Sequence, residues 1–350
     1  MSANHLVSNM SSNHPTKQSP SHLDECPTCR RRAARMEREA VKSVPKRVKP
    51  PKTAKPVKTK EKVFIPKPVG ESTSLESGFI ISHIHALSQD HAYVWHYSEK
   101  KVLVMNKSGV VEQVLEIDTK SNVTDICVSP QSGNIWYACG NGGMFEMIKN
   151  KTSLNRFNIG FEPRCLCVSS KNQVLVGREC NMIVFNTDGS VVMDLGEINP
   201  DADLIEFCPS KIAQCPYTDY FCVCDFFHHY FVLLDTSLKI IWWFRGSTVT
   251  HSGGVVMETG YSSPDLFWPH TAAFDKDGTI IIGNKGDNNA LVAIGRDGRV
   301  IQVISREEDE PYALCLHKDG HLWVGLDTRL VKVYQLSGKQ ISRSQKLSLK

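Results

Sequence analysis

The 350-residue chain is expected to fold as an all-β, six-bladed β-propeller preceded by a disordered basic arm, and three observations lead there. Beyond about Glu71, short alternating apolar stretches recur, separated by Gly, Asn, Asp and Ser turn signals at eight- to twelve-residue spacing. These stretches repeat as a unit: YALCLHKDGHLWVGLDTRLVKVYQLSGK from Tyr312 superposes on CLCVSSKNQVLVGRECNMIVFNTDGS from Cys165, strand on strand and turn on turn. The unit is about 40 residues long and holds four short strands, which is the pattern of a propeller blade.

The arm, residues 1–70, comes first. MSANHLVSNM has no basic segment followed by an apolar stretch, and the most apolar run, IIWWF at 240–244, falls far below the roughly 20 residues that span a bilayer. The expectation is a cytoplasmic protein with no membrane partner. Twelve cysteines include the one-residue spacings Cys165/Cys167 and Cys222/Cys224 along apparent strands, so free thiols are expected rather than a disulfide framework. Residues 30–67 carry 15 Lys and Arg against three Glu, about +12 in a chain of net charge +4, which leaves about −8 for the rest and about −7 for the ring counted from Glu71. PKRVKPPKTAKPVKTKEKVFIPKP at 45–68 mixes proline and lysine with few apolar residues and cannot offset its ordering entropy, so an extended, mobile linker is expected. The good helix formers of CRRRAARMEREAVKSV make 28–44 a candidate short helix, too short to be stable alone. The arm suits acidic proteins or nucleic acid, PKRVK at 45–49 is a candidate nuclear address, and a plain solvated tether accounts for the same composition.

The six copies start near Ile81, Val123, Pro163, Pro209, Phe267 and Glu310, at separations of 42, 40, 46, 58 and 43 residues. Blades are accordingly expected near 81–118, 123–160, 163–198, 209–246, 267–308 and 310–345, and the ring over 71–345. The longest separation contains an insertion, 247–266, long enough for a binding loop, beside Trp242 and Trp243, which read as half-buried blade aromatics. No single blade buries both faces, so the copies must be specified together.

The window from Tyr312 to Gly325 gathers a cysteine, two histidines, an aspartate and a glycine, and reads as scaffold. Cys315 falls in register with Cys167, Cys127, Cys215, Ala273 and Ala86, all small residues on the innermost strand. Ten residues after Cys167, Ala273 and Cys315 come Gly177, Gly283 and Gly325, with Ala138 eleven after Cys127, which points to close backbone approach. Asp319–Gly320 matches Asp277–Gly278 and serves a tight turn, while His317 and His321 have no counterparts in other copies.

DICVSPQSGNIWYACG and PYALCLHKDGHLWVGLDTRLVKVYQLSGK resemble the NHL-type repeats at the carboxyl end of tripartite-motif (TRIM-NHL) proteins, in the divergent form found in molluscs. The resemblance implies that an early strand completes the last blade, which would be ESTSLESG at 71–78; the alternative closure uses KQISRSQ from Lys339 alone. It also implies an adaptor role in ubiquitin-related or post-transcriptional regulation. Members commonly carry a RING, B-boxes and a coiled coil ahead of the propeller. Here Cys26 and Cys29 of ECPTCR resemble the last metal-binding pair of a RING, but only His5, His14 and His22 accompany them upstream of the ring. Neither RING nor B-box can be built from that set. A zinc ion on His22, Cys26 and Cys29 lacks a fourth ligand, and no heptad run supports a coiled coil. Intrinsic ligase activity and a cofactor are therefore not expected.

Propellers present ligands at the mouth of the central channel. Counting three residues before each in-register small residue gives His83, Thr124, Arg164, Ile212, His270 and Tyr312. Of these, His83, Arg164, His270 and Tyr312 are the candidate partner-binding rim, able to pair with carboxylate or phosphate, stack and hydrogen-bond; ordinary polar loop chemistry is the competing reading. The expected function is a non-catalytic interaction module for a protein or peptide. RNA is the alternative, since relatives of the resembled family bind it on a positively charged face, though the acidic ring opposes phosphate. The enzyme alternative is a calcium-dependent lactonase or esterase-type hydrolase, which shares the architecture and needs oxygens converging on a cation. The six leading positions hold no carboxylate, and Asp125, Glu162 and Glu310 nearby occupy non-equivalent places. CGNGGM at 139–144 occupies a turn between strands, and neither a phosphate loop nor a G-x-S-x-G elbow appears.

Overall fold

The computed structural model describes residues 61–72, 80–97, 99–148, 151–179, 181–195, 208–251, 256–259 and 267–341. The candidate helix at 28–44 and His22, Cys26 and Cys29 lie outside the described residues.

Strand β1 (Glu61–Glu71) precedes blade 1, which is the meander β2 (Ile81–Ala86), β3 (His91–His96), β4 (Lys101–Asn106) and β5 (Val111–Glu116). Blade 2 is β6 (Val123–Val128), β7 (Ile135–Cys139), β8 (Gly143–Ile148) and β9 (Thr152–Asn158). Blade 3 is β10 (Cys165–Val168), β11 (Gln173–Arg178), β12 (Asn181–Asn186) and β13 (Val191–Asp194). Blade 4 has β14 (Lys211–Gln214), β15 (Phe221–Asp225), β16 (Tyr230–Leu234) and β17 (Ile240–Arg245), extended by β18 (Thr248–His251) and β19 (Val256–Glu258). Blade 5 is β20 (Pro269–Phe274), β21 (Ile280–Asn284), β22 (Ala290–Ile294) and β23 (Val300–Arg306), and blade 6 begins with β24 (Pro311–Leu316), β25 (His321–Leu326) and β26 (Val331–Ile341). All pairings are antiparallel. The innermost strands touch in the order β2, β6, β10, β14, β20, β24, and β24 returns to β2, which closes a six-bladed ring.

The core follows that order. Each junction between neighbouring blades holds its own apolar cluster, such as Cys127, Trp136, Leu166 and Val174 between blades 2 and 3. Middle strands are covered on both faces, so β7, IWYAC, is buried throughout and loses the alternation of a one-sided sheet. Glycines sit where blades approach: a Cβ on Gly177 would lie 2.8 Å from Pro209 Cβ, and one on Gly325 2.6 Å from Ile81 Cγ2. Gly278 and Gly320 take φ of 76° and 93° in the tight turns assigned to them. The nine cysteines among the described residues are free; burial drives the Cys167 thiol up to about 12, which leaves it protonated and inert.

An early strand completes the last blade, as the resemblance implies, but it is not the expected one. The strand that completes blade 6 is β1, paired with β26 from Glu61↔Ile341 to Glu71↔Lys332, so residues 61–70 belong to the ring rather than the arm. Residues 73–78 of the expected 71–78 strand lie outside the described residues, and Lys339 extends β26 against Val63 instead of closing the blade alone. Phe64 explains the placement, because its ring is 3% exposed between blades 5 and 6 and its N–H and C=O both bond the Gln302 amide. Pro66 and Pro68 are tolerated because the strand is outermost, where a missing donor costs nothing.

The insertion after β17 is also partly strand: β18 and β19 widen blade 4 to six strands instead of forming a free loop over their span. They cover Trp242, which is fully buried with its Nε1–H donated to Arg296 O at 2.7 Å, whereas Trp243 is half-buried as expected.

Candidate functional site

Four of the six innermost strands open with one residue that slips out of the pairing register. Register shifts fall between Ile81/His83, Val123/Asp125, Pro269/Thr271 and Pro311/Ala313, so Ser82, Thr124, His270 and Tyr312 are the displaced residues. In blades 3 and 4 the matching residues are Arg164 and Ser210, whose N–H groups bond Gly177 O and Cys224 O. An extra residue of this kind bends the strand and re-aims its side chain. Thr124, Arg164, His270 and Tyr312 are thus equivalent positions, as counted from the sequence. His83 and Ile212 are not, because the count runs one residue past Ser82 and two past Ser210.

His83 instead belongs to the layer beneath the mouth, with Asp125 and Lys211. The Lys211 ammonium, from blade 4, reaches the opposite side of the ring: it lies 2.8 Å from Asp125 Oδ1, 3.2 Å from His83 Nδ1 and 3.3 Å from Ser82 O. Asp125 Oδ2 also accepts Leu166 N–H at 2.9 Å, binding blade 2 to blade 3. Burial drives the Asp125 carboxyl above its ordinary range despite the lysine. Burial, then the Lys211 charge, drives the His83 imidazole well below its ordinary value. The axis at this depth is therefore held by protein charges and a neutral imidazole.

Above that layer the mouth is aromatic. His270 lies between two rings, with centroids 4.2 Å from Phe226 and 4.3 Å from Tyr312. Phe226 meets Trp268 edge-on at 6.3 Å, and Trp268 meets His229 at 5.2 Å. The Arg164 guanidinium sits 4.9 Å from the Phe227 ring centre. Lys285 Nζ approaches Phe226 and Trp268 and pairs with Glu310 Oε2 at 2.9 Å. Burial, then Lys285, lowers His270 to about 3, so its imidazole is neutral, and burial with Glu310 raises the Tyr312 phenol. His270 Nε2 and Trp268 Nε1 are buried and have no hydrogen-bond partner among the described residues.

Two buried polar residues hold this surface. Asp225 is fully buried at the end of β15, where Oδ1 accepts His228 N–H at 2.8 Å and Oδ2 accepts Cys208 N–H at 2.7 Å. That fixes the Phe226–His229 turn. Asn284, likewise buried, accepts Trp268 N–H through Oδ1 at 2.5 Å. Of the four candidate rim residues, the structure brings His270 and Tyr312 together, places Arg164 against Phe227, and puts His83 one layer deeper. Phe226, Phe227, Trp268 and Lys285 were not singled out from the sequence. The signal for the phenylalanines was the run FFHH in a turn where blades 2, 5 and 6 carry Gly, Asn or Asp.

Among the described residues, no group of three or more His, Cys, Asp and Glu side chains is arranged to hold a metal ion. His317 and His321 both turn Nδ1 to Asp319 Oδ1, at 2.7 and 2.9 Å, at the opposite end of the strands from the mouth.

No known family's profile matches the chain, and no curated protein matches it. Among solved structures it is similar to a streptogramin B lyase, with 14% identity, a TM-score of 0.55 and coverage of 79% of this chain and 98% of that one. Virginiamycin B lyase from Staphylococcus aureus gives 12% identity and a TM-score of 0.57, covering 79% of this chain and 100% of that one. A protein of unknown function from Bacteroides thetaiotaomicron gives 13% and 0.56, covering 79% and 77%. At such identities these are likenesses of fold, and the fold they share with this chain is the β-propeller.

Proposed function

We propose that the propeller is a non-catalytic interaction module whose aromatic mouth captures a segment of a partner protein. The observation that carries this reading is the run of rings Tyr312, His270, Phe226 and Trp268, left with two buried, unpartnered nitrogens at His270 and Trp268. Aromatic surface with a few unsatisfied polar atoms is the composition of binding hot spots. The mouth is only locally basic, because Lys285 is neutralised by Glu310, which favours a peptide over a phosphate backbone. The TRIM-NHL resemblance of the repeats agrees with an adaptor role, and the basic arm is proposed as a second, less specific contact with acidic partners. The hydrolase reading lacks the support that a group of three or more acidic or histidine side chains, arranged for a metal ion, would give it among the described residues.

The test is selection of a proteome-derived peptide display library on the full chain. The expected result is an enriched motif whose affinity falls about thirtyfold or more in Phe226→Ala and in Trp268→Ala, in keeping with truncation of hot-spot aromatics, each worth about 2 kcal/mol or more. No enrichment, binding insensitive to both substitutions, or selective cross-linking of RNA at Phe226 and Trp268 would sink the reading; calcium-dependent lactone hydrolysis would replace it with an enzyme.

A further inference from the structure

The opposite face carries a cavity. Turns β10–β11, β14–β15 and β16–β17 all lie at the end where innermost strands finish, and between them blades 3 and 4 leave a cavity of about 260 Å³. Val184, Met193, Phe221 and Leu238 give it apolar lining, while Gln173, Gln214 and Thr236 contribute polar atoms. Lys171 and Asp219 also line it. Neither charge has an ion-pair partner among the described residues: Lys171 Nζ reaches only Thr236 O at 3.4 Å, and Asp219 Oδ1 accepts neutral donors, Ser170 Oγ at 2.7 Å and Gln214 Nε2 at 3.2 Å.

One residue of the lining is unexpected on conformational grounds. The turn between third and fourth strands has glycine at its left-handed position in blades 1, 3 and 5: Gly109, Gly189 and Gly298, with φ of 81°, 90° and 78°. Blade 4 places Leu238 there, at φ 63°, with the same N–H bond to the first turn residue. A branched side chain in that region costs about 1–2 kcal/mol. Leu238 is nonetheless 8% exposed and packed with the blade 3–4 cluster, so the strain serves to line this cavity with hydrocarbon.

We propose that this cavity binds a small zwitterion, a free α-amino acid with an apolar side chain. Its carboxylate meets Lys171, its ammonium meets Asp219, and its side chain rests on Val184, Phe221 and Leu238. The volume is below the roughly 300–1,000 Å³ of ordinary ligand pockets, which restricts the occupant to about this size. Opposite charges at one apolar cavity discriminate a zwitterion from an acid, an amine or a neutral peptide segment, because each of those leaves one protein charge unanswered.

The test is a calorimetric and thermal-shift titration of the full chain with L-leucine, L-methionine and L-phenylalanine, alongside leucinamide and N-acetyl-leucine. At tenfold excess over Kd, at least one free amino acid is expected to raise Tm by about 2 °C. Leucinamide and N-acetyl-leucine are expected to bind tenfold more weakly or worse. Lys171→Met should erase the preference for leucine over leucinamide, and Asp219→Asn, a residue that tolerates the left-handed backbone, the preference over N-acetyl-leucine. Absence of binding by all three amino acids at millimolar concentration overturns the proposal. So does equal binding of the blocked compounds, which would mean an apolar side chain of any peptide suffices, or preferences that survive both substitutions. None of these outcomes depends on peptide capture at the mouth.

Discussion

Lys211 and Asp125, one on blade 4 and one on blade 2, meet at 2.8 Å on the axis of the ring, with 14% and 5% of their side chains exposed. Two non-adjacent blades are thereby joined by a buried ion pair. Removing one partner strands the other charge: Lys211→Met is expected to cost about 3–5 kcal/mol, and adding Asp125→Asn to recover part of it, both read from urea midpoints. A single-variant loss below about 1 kcal/mol would mean the pair is solvated in solution.

Acid should weaken the ring through its buried imidazoles. His83, His85 and His270 are all depressed, His85 to about 4 and His270 to about 3, with burial as the leading cause. A depressed folded value means that the stabilisation is complete above about pH 6.5, where the unfolded chain's imidazoles are also neutral, and is lost as pH falls toward the folded values. Each such histidine contributes a slope of at most about 1.4 kcal/mol per pH unit. His270→Phe should flatten the decline between pH 7 and pH 5, measured by denaturant titration at each pH. An unchanged slope would show that His270 takes up its proton over the same pH range in the folded and unfolded chains.

Ring closure depends on Phe64. Phe64→Ala is expected to cost about 3–5 kcal/mol, the usual loss for a buried phenylalanine. A chain beginning at Glu61 should melt close to the full chain, and one beginning at Ser72 well below it or aggregate, since the β26 edge is then open. Equal melting of the two truncated chains would show that β1 is dispensable.

Substitutions at two left-handed residues should differ in sign. Leu238→Gly relieves the backbone but empties a buried site, for a net loss of about 1–3 kcal/mol. Arg329, at φ 70°, holds only the strain, so Arg329→Gly should be neutral or stabilising by up to about 1 kcal/mol in the same melts.

Asp225 supports the mouth without belonging to the aromatic surface. Asp225→Ala removes the acceptor of the buried Cys208 N–H, of the His228 N–H and of the His228 imidazole, at about 1–3 kcal/mol, and should raise hydrogen exchange in residues 226–229 above that of the neighbouring strands. Exchange unchanged there would assign the turn's order to the aromatic contacts alone.

The repeat was legible because inward positions recur in chemistry even where identities change: Cys127, Cys167 and Ala273 are all small and buried. Turns such as Asp277–Gly278 and Asp319–Gly320 declare their backbone requirement in their residue types. β1 was hidden because Pro66, Pro68, Lys62 and Lys67 mask the inward position of Phe64. His83 was misplaced by one residue because blade 1 puts His85, not a small residue, at the position of Cys127, Ala273 and Cys315, and the count was anchored on the neighbouring Ala86. The Lys211–Asp125 pair, 86 residues apart and on blades that are not neighbours, has no local signature at all. Arg164, His270 and Tyr312 could be named because their blades share one offset; Phe226 and Trp268 enter from other turns and required the assembled ring.

The pairing of β1 with β26 has a bearing on biosynthesis. A ribosome delivers Phe64 long before Gln302 or Tyr334, and at about 5–20 residues per second the first strand waits on the order of tens of seconds for its neighbours. During that interval the lysines and prolines that obscure the strand on paper also keep it from annealing to other nascent chains, so the same composition guards a segment that must remain unpaired until translation is almost complete.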